Sequence, residues 1–279
     1  MRPIISIIIP TKNSARTLKL CLKSIDMQDY PSKYIETIVV DCYSNDDTVK
    51  IAQEFNCKII HSRAKPLGAR YIGLQVSKGD IIMFIDADHI LARTDLLQDI
   101  VNYIKKGYEI LHLEEISFKP RTLIQKLIAT DRYINQQISK LMPLLYGTLY
   151  PRVLKREIAL RVFNRIPKHI LPYLHEHEDV IVHYEAINIT QKHTSVPKAL
   201  FHVDEESLWR FLRKIAYYGH MDFQVKHIAN KYSHAIRCKQ LFRIREIPYL
   251  LSKYPRAAHL VLLLIILKSL AYKSRMIKH

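Results

Sequence analysis

Ile81-Ile82-Met83-Phe84-Ile85-Asp86-Ala87-Asp88 is the stretch that decides the fold of this chain. A short apolar run, rich in β-branched residues, is too brief for a helix and reads as a fully buried strand. It ends on two carboxylates one residue apart. Burying paired like charges is costly unless a cation or donor groups compensate. Hard oxygen ligands suit Mg²⁺ or Mn²⁺. Alternate residues of an extended segment face the same side, so both acids are expected to face one ligand. Asp-x-Asp pairs also cap helices and decorate turns, so the pattern gains meaning only from the strand before it.

Outward from that stretch, strand and helix patterns alternate. Ile4–Ile9 is a buried strand ended by Pro10, and Ile35–Val40 is a second, ended by Asp41. Cys57–Ile60 is a short third. Between them Leu18, Cys21, Leu22 and Ile25 recur at helical spacing behind Ser14, a candidate N-cap, and Val49, Ala52 and Phe55 mark another helix. A helix is expected after Gly68, and Leu97, Ile100, Val101 and Ile104 stripe the next. Strands alternating with such helices imply an α/β fold with a mainly parallel sheet and helices on both faces. Ligands bind such sheets at the carboxyl ends of the strands, where this chain places Thr11, Asp41 and Asp86.

The second half is less regular. Leu123, Leu127, Ile134, Ile138 and Leu141 predict a long amphipathic helix, residues 148–203 read as mixed strands and loops, and Leu208, Phe211, Leu212, Ile215 and Tyr218 form another stripe. Ala257–Tyr272 is strongly apolar yet short for a membrane crossing, and cationic residues flank it.

Of the 279 residues, 48% are hydrophobic and 25% charged, which allows a sizeable core and excludes a disordered chain. The net charge of +17 calls for an anionic partner. From Arg237 to His279 ten Lys/Arg stand against one acid, Glu246, so the excess is concentrated there. An apolar body with cationic edges suits a helix lying on an anionic bilayer surface; a core helix with a basic tail is the plainer alternative. Cys21, Cys42, Cys57 and Cys238 form no metal-binding spacing, so reduced thiols and a cytoplasmic setting are expected, and no signal peptide is read at the start.

Several segments, in order, resemble glycosyltransferase family 2. They are Ile5–Asn13; the Asp41-Cys42-Tyr43-Ser44-Asn45-Asp46-Asp47-Thr48 segment; Gly68-Ala69-Arg70 with Gly73; Asp86-Ala87-Asp88; Glu178-Asp179; and His202 followed by Ser207-Leu208 and Tyr218-Gly219. The resemblance covers about residues 4–220. It implies the GT-A nucleotide-diphospho-sugar transferase fold over 1–220, with 221–279 a basic helical membrane-associating extension. It also implies roles. Pro10, Thr11, Asn13 and Asp41 line the nucleoside, with Asp41 on the base. Lys65, Gly68 and Arg70 lie near the diphosphate, Asp86 meets the ribose, and Asp88 holds a divalent metal, Mn²⁺ or Mg²⁺, with His202 as a further ligand. Asp179 matches the catalytic base of an inverting transfer, although Glu178-Asp179 also suits a helix N-terminus. The implied partners are a nucleotide-diphosphate sugar donor, a glycan or polyprenyl-linked acceptor and the cytoplasmic face of an anionic membrane, with no nucleic acid. Leu141–Arg165, including Tyr146-Gly147-Thr148, is expected on the acceptor side. His175-Glu176-His177 looks like a metal tract but such runs are usually solvated. Departures exist: Cys42-Tyr43 replace small or acidic residues, Tyr71 stands where Asn is common, and no Q-x-x-R-W motif points to a processive synthase.

The competing class is a non-catalytic basic protein that binds anionic membrane or nucleic acid. Charge supports it, but 9% aromatics and the lack of a nucleic-acid-binding motif do not, and it leaves the acids at strand and helix ends without a purpose. A dinucleotide-binding dehydrogenase or P-loop enzyme needs a Gly-rich loop after the first strand, where Thr11-Lys12-Asn13-Ser14 stands instead.

Overall fold

The computed structural model describes residues 2–139, 150–175, 177–226, 230–236, 238, 251–253 and 255–274. Leu141, Tyr146–Thr148 and Glu176 lie outside them. The chain divides into two compact units: residues 1–115, 150–174 and 185–203 form the first, and 116–149, 175–184 and 204–279 the second.

The first unit is built on one sheet. Its strands are β1 (Ile5–Thr11), β2 (Ile35–Asp41), β3 (Lys58–His61), β4 (Ile81–Phe84), β5 (His89–Leu91), β6 (Ile110–Ser117), β7 (Pro151–Lys155) and β8 (His193–His202), in the order β3-β2-β1-β4-β7-β6-β8-β5. β1 runs parallel to β2 and β4, and β2 parallel to β3. β7 is antiparallel to both β4 and β6, and β5 antiparallel to β8. The predicted mixed sheet is therefore present, with a parallel half that the sequence shows plainly and an antiparallel half, so it is less parallel than expected. Every residue of β4 is buried, as its unbroken apolar run requires.

Helices α1 (Ala15–Asp26), α2 (Thr48–Glu54), α3 (Pro66–Val76) and α4 (Leu96–Lys105) connect the strands. Ser14 stands at the N-cap of α1 as expected, but its backbone carbonyl, not its hydroxyl, accepts from Thr17 and Leu18 amides. The helix expected after Gly68 begins two residues before it, at Pro66, whose fixed φ and missing N–H suit a first helical position. Gly73 lets α3 lie against β1: a Cβ there would stand 2.4 Å from Ile8 Cγ2. The region 148–203 holds more helix than expected. α6 (Arg156–Arg165) buries Ile158, Ala159, Val162 and Phe163, a helical stripe, and α7 (Glu178–Ile187) follows. All four cysteines are free, as expected; burial pushes the thiol of Cys57 up to about 12 and that of Cys21 higher still.

In the second unit α5 (Leu123–Ser139), α8 (Leu208–Lys226) and α9 (Pro255–Ser274) pack through Ile124, Ile128, Phe211 and Leu264. The boundary expected at residue 220 falls inside α8. Lys268 of α9 reaches Asp131 of α5 at 2.7 Å. Among the described residues no helix is long and apolar enough to cross a membrane.

Candidate active site

Parallel strands β1, β2 and β4 end on one edge of the sheet, and the loops leaving them carry most of the predicted site. Two of these loops are tied together. Thr11 Oγ1 donates to Asp41 Oδ1 at 2.9 Å, and Lys12 Nζ donates to the carbonyls of Cys42 and Tyr43 at 2.6 and 2.7 Å. The Asn13 amide donates to Ser44 Oγ at 2.8 Å, and Asn13 Oδ1 accepts from the Asn45 amide at 3.0 Å. Asp46 receives the Ala15 amide at 3.1 Å. Burial works against ionising Asp46, but bonds from the Thr48 hydroxyl and the Ala15 and Thr48 amides outweigh it and hold the carboxyl below its usual range.

Asn13 and Tyr43 take left-handed backbone angles, φ 48° and 50°. Non-glycine residues accept this only where the surroundings over-determine it, and such sites concentrate where ligands bind. Tyr43 is 55% exposed, stacks on His61 and lies under Arg63. Asp41, expected on the base, is fully buried. Its carboxylate accepts from Thr11 Oγ1, from the Ser44 hydroxyl at 2.5 Å and from the Ser44 amide at 2.8 Å. Oδ2 keeps acceptor capacity, but the carboxylate is closed off from solvent. Pro10 lies opposite Val40 at the end of β1 and is half-buried.

The Asp86-Ala87-Asp88 segment corrects the sequence reading. It is not extended: the His89 amide donates to the Asp86 carbonyl at 3.0 Å and closes a tight turn. The two carboxylates have different partners. Asp86 pairs with Arg70 of α3 and with Arg152 of β7, the latter at 3.0 Å. Burial would raise its carboxyl, but Arg70, Arg152 and His89 prevail and hold it far below the usual range. Arg70, expected to face a diphosphate, is itself only 1% exposed and is spent on Asp86 and the Tyr150 ring. Lys65 is the N-cap residue of α3 and half-buried. Gly68 stands in the first turn, where a Cβ would meet the Leu171 carbonyl at 2.7 Å; the missing side chain serves this close packing.

Asp88 goes the other way. β5 and β8 pair so that His89 faces His202 directly, and the Val203 amide donates to the Asp88 carbonyl at 2.8 Å. That ladder brings Asp88 Oδ2 to 3.6 Å from His202 Nε2 across more than a hundred residues of chain. Asp88, His89 and His202 can each offer a ligand atom, all within 4.8 Å of one another. Carboxylate plus imidazole fits a borderline divalent ion such as Mn²⁺.

Three residues of this cluster escaped the sequence reading: His89, Glu115 and Arg152. Arg152 binds Glu115 through Nε at 3.1 Å and Nη2 at 2.8 Å while its Nη1 holds Asp86. Burial alone would lower the Arg152 guanidinium, but Glu115 and Asp86 more than reverse it, so the cation is firmly kept. Only the period-2 position of Arg152 in an apolar strand could have flagged it.

Asp179 belongs to the second unit. It stands beside Glu178 in the first turn of α7, half-buried, where the helix N-terminus favours a carboxylate. His177, just before, is left-handed at φ 59° and its carbonyl accepts from Ile181.

The match to the glycosyl transferase family 2 model over residues 6–163, more than half of the chain, places it: the chain belongs to that family. It is similar to the glycosyltransferase AglE of Haloferax volcanii, 36% identical over 93 residues, which are 31% of each chain. It also resembles the poly(ribitol-phosphate) β-N-acetylglucosaminyltransferase TarS of Staphylococcus aureus, 29% identical over 110 residues, 37% of this chain and 19% of TarS. The matched stretch is thus less than a third of either relative. The crystal structure of TarS 1–349 with UDP-GlcNAc aligns with a TM-score of 0.58 at 18% identity, over 88% of this chain and 73% of that one. The mannosyltransferase PcManGT of Pyrobaculum calidifontis, in complex with GDP-Man and Mn²⁺, aligns at 0.57 and 15% identity, over 99% and 88%. These likenesses establish the GT-A-like fold.

Proposed function

We propose that this chain transfers a single sugar from a nucleoside-diphosphate sugar to a hydroxyl of a lipid-linked or cell-envelope glycan acceptor, inverting the anomeric centre. The observation that carries the proposal is the Asp88–His202 pair, built by the β5–β8 ladder at the end of β4. Asp88 and His202 would hold Mn²⁺ or Mg²⁺. When bound, such an ion neutralises the charge that builds on the departing nucleoside diphosphate. The tied loops of Pro10–Asn13 and Asp41–Thr48 hold the nucleoside. Tyr43, exposed and stacked on His61, offers a ring for the base, while Asp41 shapes the loop that presents it. Asp86 faces the ribose from its arginine clasp, and Lys65, with the glycine-packed N-terminus of α3, serves the diphosphate side. Asp179 takes the proton of the acceptor hydroxyl as that oxygen's lone pair forms the new bond to the anomeric carbon. The electrons of the breaking bond leave on the diphosphate oxygen, and attack opposite the leaving group inverts the centre.

The relatives support the cell-envelope acceptor, as TarS is named for poly(ribitol-phosphate). The segment 221–279 is proposed to bring the site to the cytoplasmic face of an anionic membrane. On α9, Val261 and Leu264 are buried, whereas Leu263, Ile266 and Leu270, at helical spacing on another face, are 49%, 55% and 63% exposed. Lysines at exposed positions 253 and 273 flank that face.

The test is a thermal-shift panel of UDP, GDP, CDP and ADP, each with and without Mn²⁺ or Mg²⁺. A ligand that binds only the folded state raises its stability by mass action. A shift that needs both nucleotide and metal, and vanishes in Asp88→Asn, supports the site and names the donor class. No shift with any nucleotide, from folded protein, sinks it.

A further inference from the structure

His89 sits within ligand distance of Asp88 and His202, so it looks like a third metal ligand. Its bonds say otherwise. The Asp86 amide donates to His89 Nδ1 at 2.9 Å, which makes that nitrogen the acceptor and leaves the ring proton on Nε2. Nε2 lies 3.5 Å from Glu115 Oε2 without forming a hydrogen bond to it. With one lone pair taken and the other nitrogen protonated, the fully buried ring has nothing left to give a cation.

Glu115 and Asp86 are in turn joined by Arg152, which holds both. The four residues form one network: the Asp86 amide bonds His89, Arg152 bonds Asp86 and Glu115, and Glu115 stands 3.5 Å from His89 without a hydrogen bond. Tyr150 lies under both Arg152 and Arg70, 4.8 and 5.2 Å from its ring centroid. With Arg70 also on Asp86, two arginines stand against two carboxylates. The network's one edge toward the metal pair is the His89 ring, which meets the His202 ring edge-on at 5.2 Å.

We infer that His89, Glu115 and Arg152 are positioning residues: they lock the turn that aims Asp88 and fix the ring of His202, so that the metal pair exists before donor arrives. The inference rests on the proposed function, because it concerns the metal held by Asp88 and His202. Outer partners of metal ligands typically govern about 10–100-fold of metal affinity.

The experiment reads Mn²⁺ affinity by the EPR signal of free Mn²⁺, in the presence of whichever of UDP or GDP gives the larger thermal shift. Wild type, Asp88→Asn, His89→Leu, His89→Asn, Glu115→Gln and the His89→Leu/Glu115→Gln double variant are compared. The inference expects His89→Leu to weaken Mn²⁺ binding about 10–100-fold. His89→Asn should recover part of that, because its oxygen stands where Nδ1 accepts the Asp86 amide. Glu115→Gln should weaken binding although it is remote from the ion, and the double variant should be no worse than His89→Leu, as residues in one network are non-additive. Melting temperatures confirm folding, and the near-isosteric Glu115→Gln carries the test if His89→Leu does not fold. Unchanged affinity in Glu115→Gln, or His89→Asn as weak as His89→Leu with Glu115→Gln unaffected, overturns the inference and makes His89 a direct ligand or a bystander. A wild type that binds no Mn²⁺ removes the metal reading as well, so the two failures are told apart by the wild-type curve.

Discussion

The first unit buries charge and the second exposes grease. At the end of β4, Arg70 and Arg152 are nearly inaccessible and are matched against Asp86 and Glu115. On α9 and at the start of α8 the opposite holds: Leu263, Ile266, Leu270, Leu208 and Trp209 face outward, the tryptophan 69% exposed. Desolvated charges are tolerable only as a matched set, because each loses several kcal/mol of hydration that its partners must offset. Large exposed apolar side chains in a row are tolerable when water is not their final environment. The contrast fits the proposed roles, a small polyanionic ligand for one region and an extended surface for the other.

The sharpest way to break this contrast lies at Asp179. If it is the base, Asp179→Asn should lower turnover by about 10²–10⁴-fold while the nucleotide-dependent thermal shift stays, since Asp179 is not among the proposed donor-binding residues. Normal turnover would leave Asp179 as a helix-end carboxylate only. Next comes Asp88→Asn, expected to cost about 10²–10³-fold in turnover and to erase metal-dependent nucleotide binding, with the melting temperature of the bare protein kept.

Arg152→Met probes the matched charges through stability instead. Leaving Asp86 and Glu115 without their shared cation should destabilise the fold by about 3 kcal/mol, discounted from a fully buried pair because Asp86 is partly exposed. A denaturation midpoint equal to wild type would show that water already screens the cluster. On the apolar side, Leu263→Glu with Ile266→Glu should leave the denaturation midpoint within error yet weaken sedimentation with phosphatidylglycerol vesicles by about tenfold or more. A drop in the midpoint would mean that this face is part of the core.

The smallest effect is in acid. Asp86 has its carboxyl depressed in the folded state, so its stabilising contribution is complete above the ordinary aspartate range and is lost as pH falls below that range toward the folded value. The stability gap between wild type and Asp86→Asn should thus narrow as pH is lowered from 7 to 3. A gap that stays constant or widens would contradict the pairing.

How much of this stood in the sequence differs by element. β1, β2 and β4 are legible because a strand buried on both faces must be continuously apolar. Asp88 and His202 were legible as members of a motif series, but not as neighbours, since the three-residue β5 that joins them has no pattern long enough to see. The turn at Asp86–His89 escaped because no Gly or Pro announces it. Glu115 and Arg152 escaped for another reason: they reach Asp86 through antiparallel pairing of β6 and β7, and long-range register leaves no local trace. α6 was missed because the stripe of Ile158, Ala159, Val162 and Phe163 is diluted by four charged residues within ten.

The laced loops have a further consequence. The bonds between Pro10–Ala15 and Asp41–Thr48 are made by Thr11, Lys12, Asn13, Ser14, Ser44, Asp46 and backbone groups; the Tyr43 ring takes no hydrogen-bonding part in them. In the proposed role of Tyr43, scaffold and reader are then different atoms: position 43 could change, and the donor base preference with it, while the lacing beneath keeps its shape.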